Sequence, residues 1–416
     1  MFIEDIMYEI LRPISVKYEE DMNKAKRMTT NELYCAIESQ TEIFSNKEIE
    51  RQGTIIFPTP GCPHNVRDGK HCGCSFCDWN EDAIVNVAYV TELRKRNPVL
   101  YKEIQKKYME KVFSRRKVCF LEEFAIQDCF SDYQITDEEM KALLLKDNNY
   151  MEKPIVGLVQ VRADSVTDTK VKLWKRVVKK RMTLGVGVET GDEWIRNHWL
   201  NKKIYDSDIM NCISIAHQNN CNVCANILME LPGLNVKQNI ICVMEAIDKL
   251  SEMGCDSIML SPLVKKKYTI QQYLDNPLLS EDWHKFYYIL LVLYKIANME
   301  KRKKEKIMIS LLNFKDYCSN IKDKECRNSF KRLLEPLYDI GAMKGFDNIL
   351  RCYDSLCRED VFIQYMQMVN SLEGKEEIYN TLLFSAKVLQ KKVAHDNDEY
   401  ISKFHNEIES VMKNEI

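Results

Sequence analysis

The chain has 416 residues, with 60 Lys plus Arg against 62 Asp plus Glu and a formal net charge of −2. At 45% apolar and 29% charged residues, the composition excludes a disordered chain, and the near-neutral balance excludes a protein that holds nucleic acid by bulk charge alone. The longest apolar run, residues 286–294, is too short to span a bilayer, and the opening MFIEDIMYEI lacks the basic start of a secretory leader; a cytoplasmic protein with no membrane partner is expected.

Residues 1–51 read as a helical extension, because IEDIMYEIL and NELYCAIESQTEIF carry apolar residues at a spacing near 3.6. From residue 52 the pattern changes to short apolar runs alternating with longer amphipathic ones. Thr54–Phe57, Val118–Ile126, Ile155–Val161, Leu184–Val188, Val223–Met229 and Ser257–Leu260 are the six predicted strands, with Ile307–Leu312 as a further candidate. Helical stretches lie between them at Asp137–Leu145, Val171–Val178, Asp206–Gln218 and Ile240–Met253. Strands separated by helices imply βαβ units and a parallel sheet. The expected fold class is therefore α/β, a partial (β/α)6 TIM-like barrel with helical N- and C-terminal extensions. The barrel takes residues 52–300, and residues 301–416 form a mainly helical C-terminal region. Ten of the 13 glycines lie between Gly53 and Gly254, so the special turns belong to the barrel.

Sixteen cysteines in a chain without a leader point to reduced thiols or metal ligands rather than disulfides. Four of them, Cys62, Cys72, Cys74 and Cys77, crowd into PTPGCPHNVRDGKHCGCSFCDWN, a Gly/Pro-rich loop directly after the first predicted strand. Such a loop can bring its thiolates to one point. Spacing alone leaves three readings open: an iron–sulfur cluster, a zinc tetrahedron completed by His64 or His71, or thiols without a ligand.

The order Cys62-x11-Cys74-x2-Cys77, with Phe76 before the last Cys, resembles the radical S-adenosylmethionine (radical SAM) enzymes. It is most similar to the branch with a long first gap, which includes Elongator-catalytic-subunit and MiaB-like proteins and the archaeosine-synthase radical SAM subunit. The resemblance implies that Cys62, Cys74 and Cys77 hold a [4Fe–4S] cluster, with Cys72 a bystander; sets that include Cys72 stay possible on spacing. It implies that S-adenosyl-L-methionine chelates the open iron and is cleaved by one electron to a 5′-deoxyadenosyl radical. An electron donor of flavodoxin or ferredoxin type is the implied partner.

Further segments carry the same resemblance in order. LGVGVETGDEWIRNHWLNKK (184–203) is similar to the family's fourth-strand motif through Gly187, Glu189, Thr190, Gly191, Asn201 and Lys202, with Lys203 standing where Gly is usual. Glu189 is then the expected partner of the SAM ammonium or ribose. Leu231, Pro232 and Gly233 resemble the fifth-strand turn beside the adenine, and Arg162 is a candidate for a carboxylate or other anion. The second-strand region lacks the usual Gly-Gly-Glu; Gln127, Asp128 and Ser131 stand roughly in its place. Glu189, Arg162, Gln127, Ser131 and Gly233 are thus the expected cofactor-binding residues.

The other cysteines are expected to be core thiols, Cys221 and Cys224 at a strand start, Cys318, Cys326, Cys352 and Cys357 on helical tail segments. Basic runs at 94–96, 115–117, 175–181 and 265–267 read as solvated faces, of which 265–267 follows the sixth strand and lies nearest the barrel mouth. The substrate classes that follow are RNA, a tRNA base above all, or a peptide or small molecule of a biosynthetic pathway. A non-enzymatic zinc-binding interaction protein is the reading outside enzymology.

Overall fold

The computed structural model describes residues 1–48, 54–56, 58–67, 70–77, 85–115, 121–125, 128–144, 155–176, 181–337, 343–394 and 398–412. Two N-terminal helices, α1 (Phe2–Arg27) and α2 (Thr30–Glu48), precede the first strand β1 (Thr54–Ile56). A short antiparallel hairpin, β2 (Val66–Arg67) with β3 (Lys70–His71), sits inside the cysteine-bearing loop. Helices α3 (Val87–Arg96) and α4 (Pro98–Arg115) follow; the Asn86 side chain opens α3 by accepting from the Ala88 and Tyr89 N–H groups. Strands then alternate with helices: β4 (Leu121–Ala125), α5 (Asp137–Leu144), β5 (Ile155–Val161), α6 (Asp168–Trp174), β6 (Thr183–Glu189), α7 (Asp206–Gln218), β7 (Asn222–Leu228), α8 (Val236–Met253), β8 (Ser257–Ser261), α9 (Asp282–Ala297), α10 (Lys301–Lys304) and β9 (Ile307–Ile309). Helices α11 (Leu311–Ser319) to α14 (Asp360–Ser371), α15 (Ile378–Val393) and α16 (Asp398–Met412) complete the chain.

The seven strands β1, β4, β5, β6, β7, β8 and β9 pair side by side in chain order, every pair parallel. All six predicted strands are present, and the Ile307 run adds the seventh at the edge. Side chains alternate between two faces along each strand, and the two faces differ here. Val159, Val161, Leu184, Val186, Val188, Val223, Ala225, Ile227, Ile258 and Leu260 are buried against the helices. Each such side chain contributes about 1.5–3 kcal/mol on burial. The intervening residues Gln160, Gly187, Asn226 and Met259 are only partly buried and turn toward the inside of the partial barrel. Asn226 Nδ2 donates to Gln160 Oε1 at 3.3 Å across the intervening β6, where Gly185 leaves room for it.

A second apolar cluster forms apart from the helix–sheet core. Phe2, Ile6 and Ile10 of α1 meet Leu382, Leu389, Phe404 and Ile408 of the last two helices over Trp199, Leu228 and Leu231. The Phe2 and Phe404 rings stand 4.6 Å apart, the Phe2 N–H donates to Glu407, and Lys403 pairs with Asp5. The two terminal extensions therefore close on each other beside the carboxyl ends of β6 and β7. Among the described residues no helix is long and apolar enough to cross a membrane.

Candidate active site at the cysteine loop

The carboxyl ends of the strands gather the sequence-predicted residues. Gly61 and Cys62 follow β1, Asp128 and Ser131 follow β4, Arg162 follows β5 and Glu189 ends β6. Asp128 ties the ends of β4 and β5 together: its carboxylate accepts from Ser165 Oγ at 2.7 Å and from the Arg162 N–H at 3.2 Å. Burial pushes its carboxyl up to about 6 despite those donors. Ser131 lies on the turn after β4, and the same turn reaches the cysteine loop, where Gln134 Nε2 donates to the Gly61 carbonyl at 2.9 Å. Gln127 lies outside the described residues.

The cysteine loop is held from the opposite side by the segment 199–203. The Ser75 N–H donates to the Leu200 carbonyl at 3.0 Å and Ser75 Oγ to the Trp199 carbonyl at 2.9 Å. Asn201 Nδ2 donates to the carbonyls of Cys72 and Gly73 at 2.6 and 2.9 Å, and His64 Nε2 donates to the Asn201 carbonyl at 2.7 Å. A π-helical turn, Ile195–Trp199, aims the Trp199 and Leu200 carbonyls at Ser75. Asn201 and Lys203 both adopt left-handed backbone, with φ of 55° and 54°. The turn that a Gly usually makes is thus kept with Lys at the same conformation, and Arg162 Nη2 donates to the Lys202 and Lys203 carbonyls at 3.1 and 3.2 Å. Arg162 also forms a two-pronged pair with Asp164 at 3.0 and 3.1 Å, so its guanidinium orders the 202–203 backbone.

Within this frame Cys74 and Cys77 share a tight turn, the Cys77 N–H donating to the Cys74 carbonyl at 3.2 Å. Cys72 is buried, and its main chain bonds on both sides, to Asn65 and to Asn201. Burial pushes the Cys62 thiol up to about 11, and the nearby Cys74 adds to this; the His64 backbone N–H, Arg162 and Lys202 pull the other way. A cavity of about 330 Å³ opens beside Cys62, with Tyr18, His71 and Tyr133 on its walls. His71 bonds to Ser15 at 2.9 Å. Among the described residues no three His, Cys, Asp or Glu side chains converge as ligands of one metal ion; thiolates bound to separate irons of one cluster stand further apart than ligands sharing an ion.

Glu189 is the strained point of the site. Its φ is +70°, the Thr190 N–H closes back on the Val188 carbonyl at 2.9 Å, and the β6–β7 register shifts between Gly187 and Glu189. The distortion swings its carboxylate onto Lys202, Nζ to Oε1 at 2.6 Å, in a pair that is almost fully buried. Gly187 is required by this approach, since a Cβ there would stand 2.6 Å from both charged atoms. Burial works against the Lys202 charge, but Glu189 and Cys74 outweigh it, and its Nζ lies 5.6 Å above the Phe76 ring between Cys74 and Cys77. The strain is sustained by Arg196, which is fully buried and donates to the carbonyls of Val188, Thr190 and Ile204 and to Asp206. Sequence reasoning missed Arg196 and Ser75; both lie inside motif segments, but neither is a position that the motif pattern marks, and their role depends on the backbone they bind.

Gly233 sits farther away, at φ +85°, where a Cβ would stand 2.8 Å from Ser385 Oγ and 3.2 Å from Trp199. The Leu231–Gly233 turn is therefore packed by the C-terminal extension. Lys265, the first of the rim lysines, pairs with Asp275 at 3.0 Å. The set-aside cysteines are free thiols; Cys221, Cys224 and Cys326 are buried, Cys318 and Cys352 partly so, and Cys357 is exposed.

No family model matches the chain. It is 22% identical over 278 residues, 66% of its own length and 72% of the other's, to the uncharacterized protein MJ0550 of Methanocaldococcus jannaschii. Among solved structures it is similar to the radical S-adenosylmethionine methyltransferase TsrM from Kitasatospora setae, bound to tryptophan and a SAM analog, at a TM-score of 0.38 and 11% identity. That match covers 73% of this chain and 62% of the TsrM chain, so this chain spans less than two thirds of that protein. It is similar to methylornithine synthase (PylB) at a TM-score of 0.40 and 12% identity, over 79% of this chain and 99% of that one.

Proposed function

We propose that this chain is a radical SAM enzyme, with Cys62, Cys74 and Cys77 holding a [4Fe–4S] cluster that SAM joins at the open iron. The observation that carries the reading is the convergence at the strand ends. Cys62 and Cys74 lie near each other there, with Arg162 and Lys202 near both, beside a strained Glu189. At Cys62 the two cations offset part of the burial that disfavours the thiolate. A cluster held by these thiols would supply one-electron chemistry to SAM, and a flavodoxin- or ferredoxin-type donor would be its partner. The residues of the chain do the rest. The 199–203 segment fixes the loop, Lys202 balances the charge of Glu189, and Glu189 accepts from the ammonium or ribose of SAM. Arg162 and Ser131 border the same molecule.

The pairing of Lys265 with Asp275 leaves that rim residue poorly suited to tracking phosphates, which favours a small-molecule or peptide substrate over a tRNA base. Tight tRNA binding with a steep salt dependence would reverse that preference. The central test is anaerobic reconstitution. The expected product is brown, holds about four irons and releases 5′-deoxyadenosine when reduced. Replacing Cys62, Cys74 or Cys77 by Ala removes the iron, whereas Cys72→Ala keeps it. A colourless protein with stoichiometric zinc would overturn the reading.

A further inference from the structure

A second and larger cavity, about 670 Å³, lies at the carboxyl ends of β7 and β8, walled by α9, α11 and α15. Its size is that of a small-molecule pocket. One polar side chain on its wall differs from those of the cysteine loop because it is open. Gln271 is 5% exposed, yet neither its Nε2 nor its Oε1 has a partner among the described residues. Buried amides almost always find partners, so one left with both a donor and an acceptor unmet calls for a ligand. Glu230, on the same wall, accepts from the Tyr317 hydroxyl at 3.3 Å, and enclosure pushes its carboxyl up to about 8. Enclosure favours its protonated form, which can donate as well as accept. The two lysines on the wall are each paired, Lys265 with Asp275 at 3.0 Å and Lys285 with Asp282 at 3.3 Å. The remaining lining is largely apolar, including Leu231, Leu263 and Leu274.

We propose that this cavity binds an uncharged small molecule carrying an amide-type N–H/C=O edge, such as a lactam or a free nucleobase. The Gln271 carboxamide meets that edge with its own donor and acceptor side by side, and Glu230 supplies one further hydrogen bond. The pocket also touches the cysteine loop, since the N–H of Ile270, next to Gln271, donates to the Ser75 carbonyl at 2.9 Å. Naming the bound molecule as substrate rests on the radical SAM reading; its binding does not.

The test uses the full-length protein, with and without reconstituted iron. Uracil and 2-pyrrolidinone are titrated by calorimetry and saturation-transfer NMR, against 1,3-dimethyluracil and N-methyl-2-pyrrolidinone, which lack the N–H. Uracil and pyrrolidinone are expected to bind in both preparations, the methylated compounds about tenfold more weakly or worse. Gln271→Leu is expected to abolish binding while raising the melting temperature of the free protein, because it removes unpartnered polar atoms and keeps the volume. Equal binding of the methylated compounds, no binding at all, or unchanged binding by Gln271→Leu would overturn the proposal. So would displacement of uracil by SAM, which would assign the cavity to the adenine of SAM. Binding to a protein that takes up no iron would leave the pocket standing and remove only the radical SAM reading.

Discussion

Two polar regions at the same end of the sheet are built on opposite plans. Around the cysteine loop, main-chain groups are closed by short bonds from Asn201, Ser75, His64, Gln134 and Arg162. In the cavity by β7 and β8, both polar atoms of Gln271 lack a partner among the described residues, and burial holds the Glu230 carboxyl well above the usual carboxylate range. A loop that must present three thiols in a fixed arrangement has to be rigid before anything binds, and its polar atoms are spent on the chain itself. A pocket that recognises a ligand keeps donors and acceptors unspent and accepts the cost in stability.

The comparison is broken most severely at Arg196. Arg196→Met takes one donor from each of the Val188, Thr190 and Ile204 carbonyls and from Asp206. Val188 keeps the Thr190 N–H, Ile204 keeps Asn197 and Asp206 keeps Lys249, and the expected loss is about 3 kcal/mol by denaturant unfolding. A loss under about 1 kcal/mol would show that the bend at Glu189 holds by itself.

Glu230 gives the opposite sign through pH. It is faced by Tyr317 of α11, by Lys285 and Tyr288 of α9 and by Tyr365 of α14. Its folded pKa of about 8 lies above the ordinary 4.5. The unfolded chain therefore binds fewer protons between those values, and stability falls as pH rises through that window. Below it the carboxyl is protonated in both states and costs nothing. The expected result is a melting temperature that drops by several degrees from pH 5 to pH 8.5, with a clearly shallower drop in Glu230→Gln. Identical slopes in the two proteins would place Glu230 in ordinary solvent.

Asn201→Ala sharpens the contrast with Gln271→Leu. Removing a polar side chain from the held region orphans the Cys72 and Gly73 carbonyls and costs about 1–3 kcal/mol, whereas the cavity variant gains stability. Chemical unfolding of both variants checks the pair, and a change of the same sign in both would dissolve the distinction. The smallest effect belongs to Lys203, whose left-handed φ of 54° is strained for a residue with a Cβ. Lys203→Gly is expected to change stability by about 1 kcal/mol or less, toward stabilisation, since relief of strain is offset by the greater freedom of glycine in the unfolded chain. A loss above about 1 kcal/mol would mean that the lysine side chain, which lies near Glu4, matters more than its backbone.

Much of the fold was legible in the sequence because its signals are local. Runs such as IVGLVQV and LGVGVET are apolar at alternate positions or throughout, as strands covered by helices require, and all six predicted strands lie where the pattern put them. The two-residue strands β2 and β3 were not legible, since they are too short to show a period. At the site, the order of Cys62, Cys74, Cys77 and the ETG segment was readable as motif. The sequence by itself determined the strands and their parallel α/β class, the helical termini and the crowding of thiols after β1. Only the tertiary structure decided that Arg162 orders the 202–203 backbone, that Lys202 rather than open solvent meets Glu189, and that Gln271 stands without a partner. Periodicity reports which face of an element is buried; which polar atom satisfies which depends on residues far apart in the chain, 129 positions for Asn201 and Cys72.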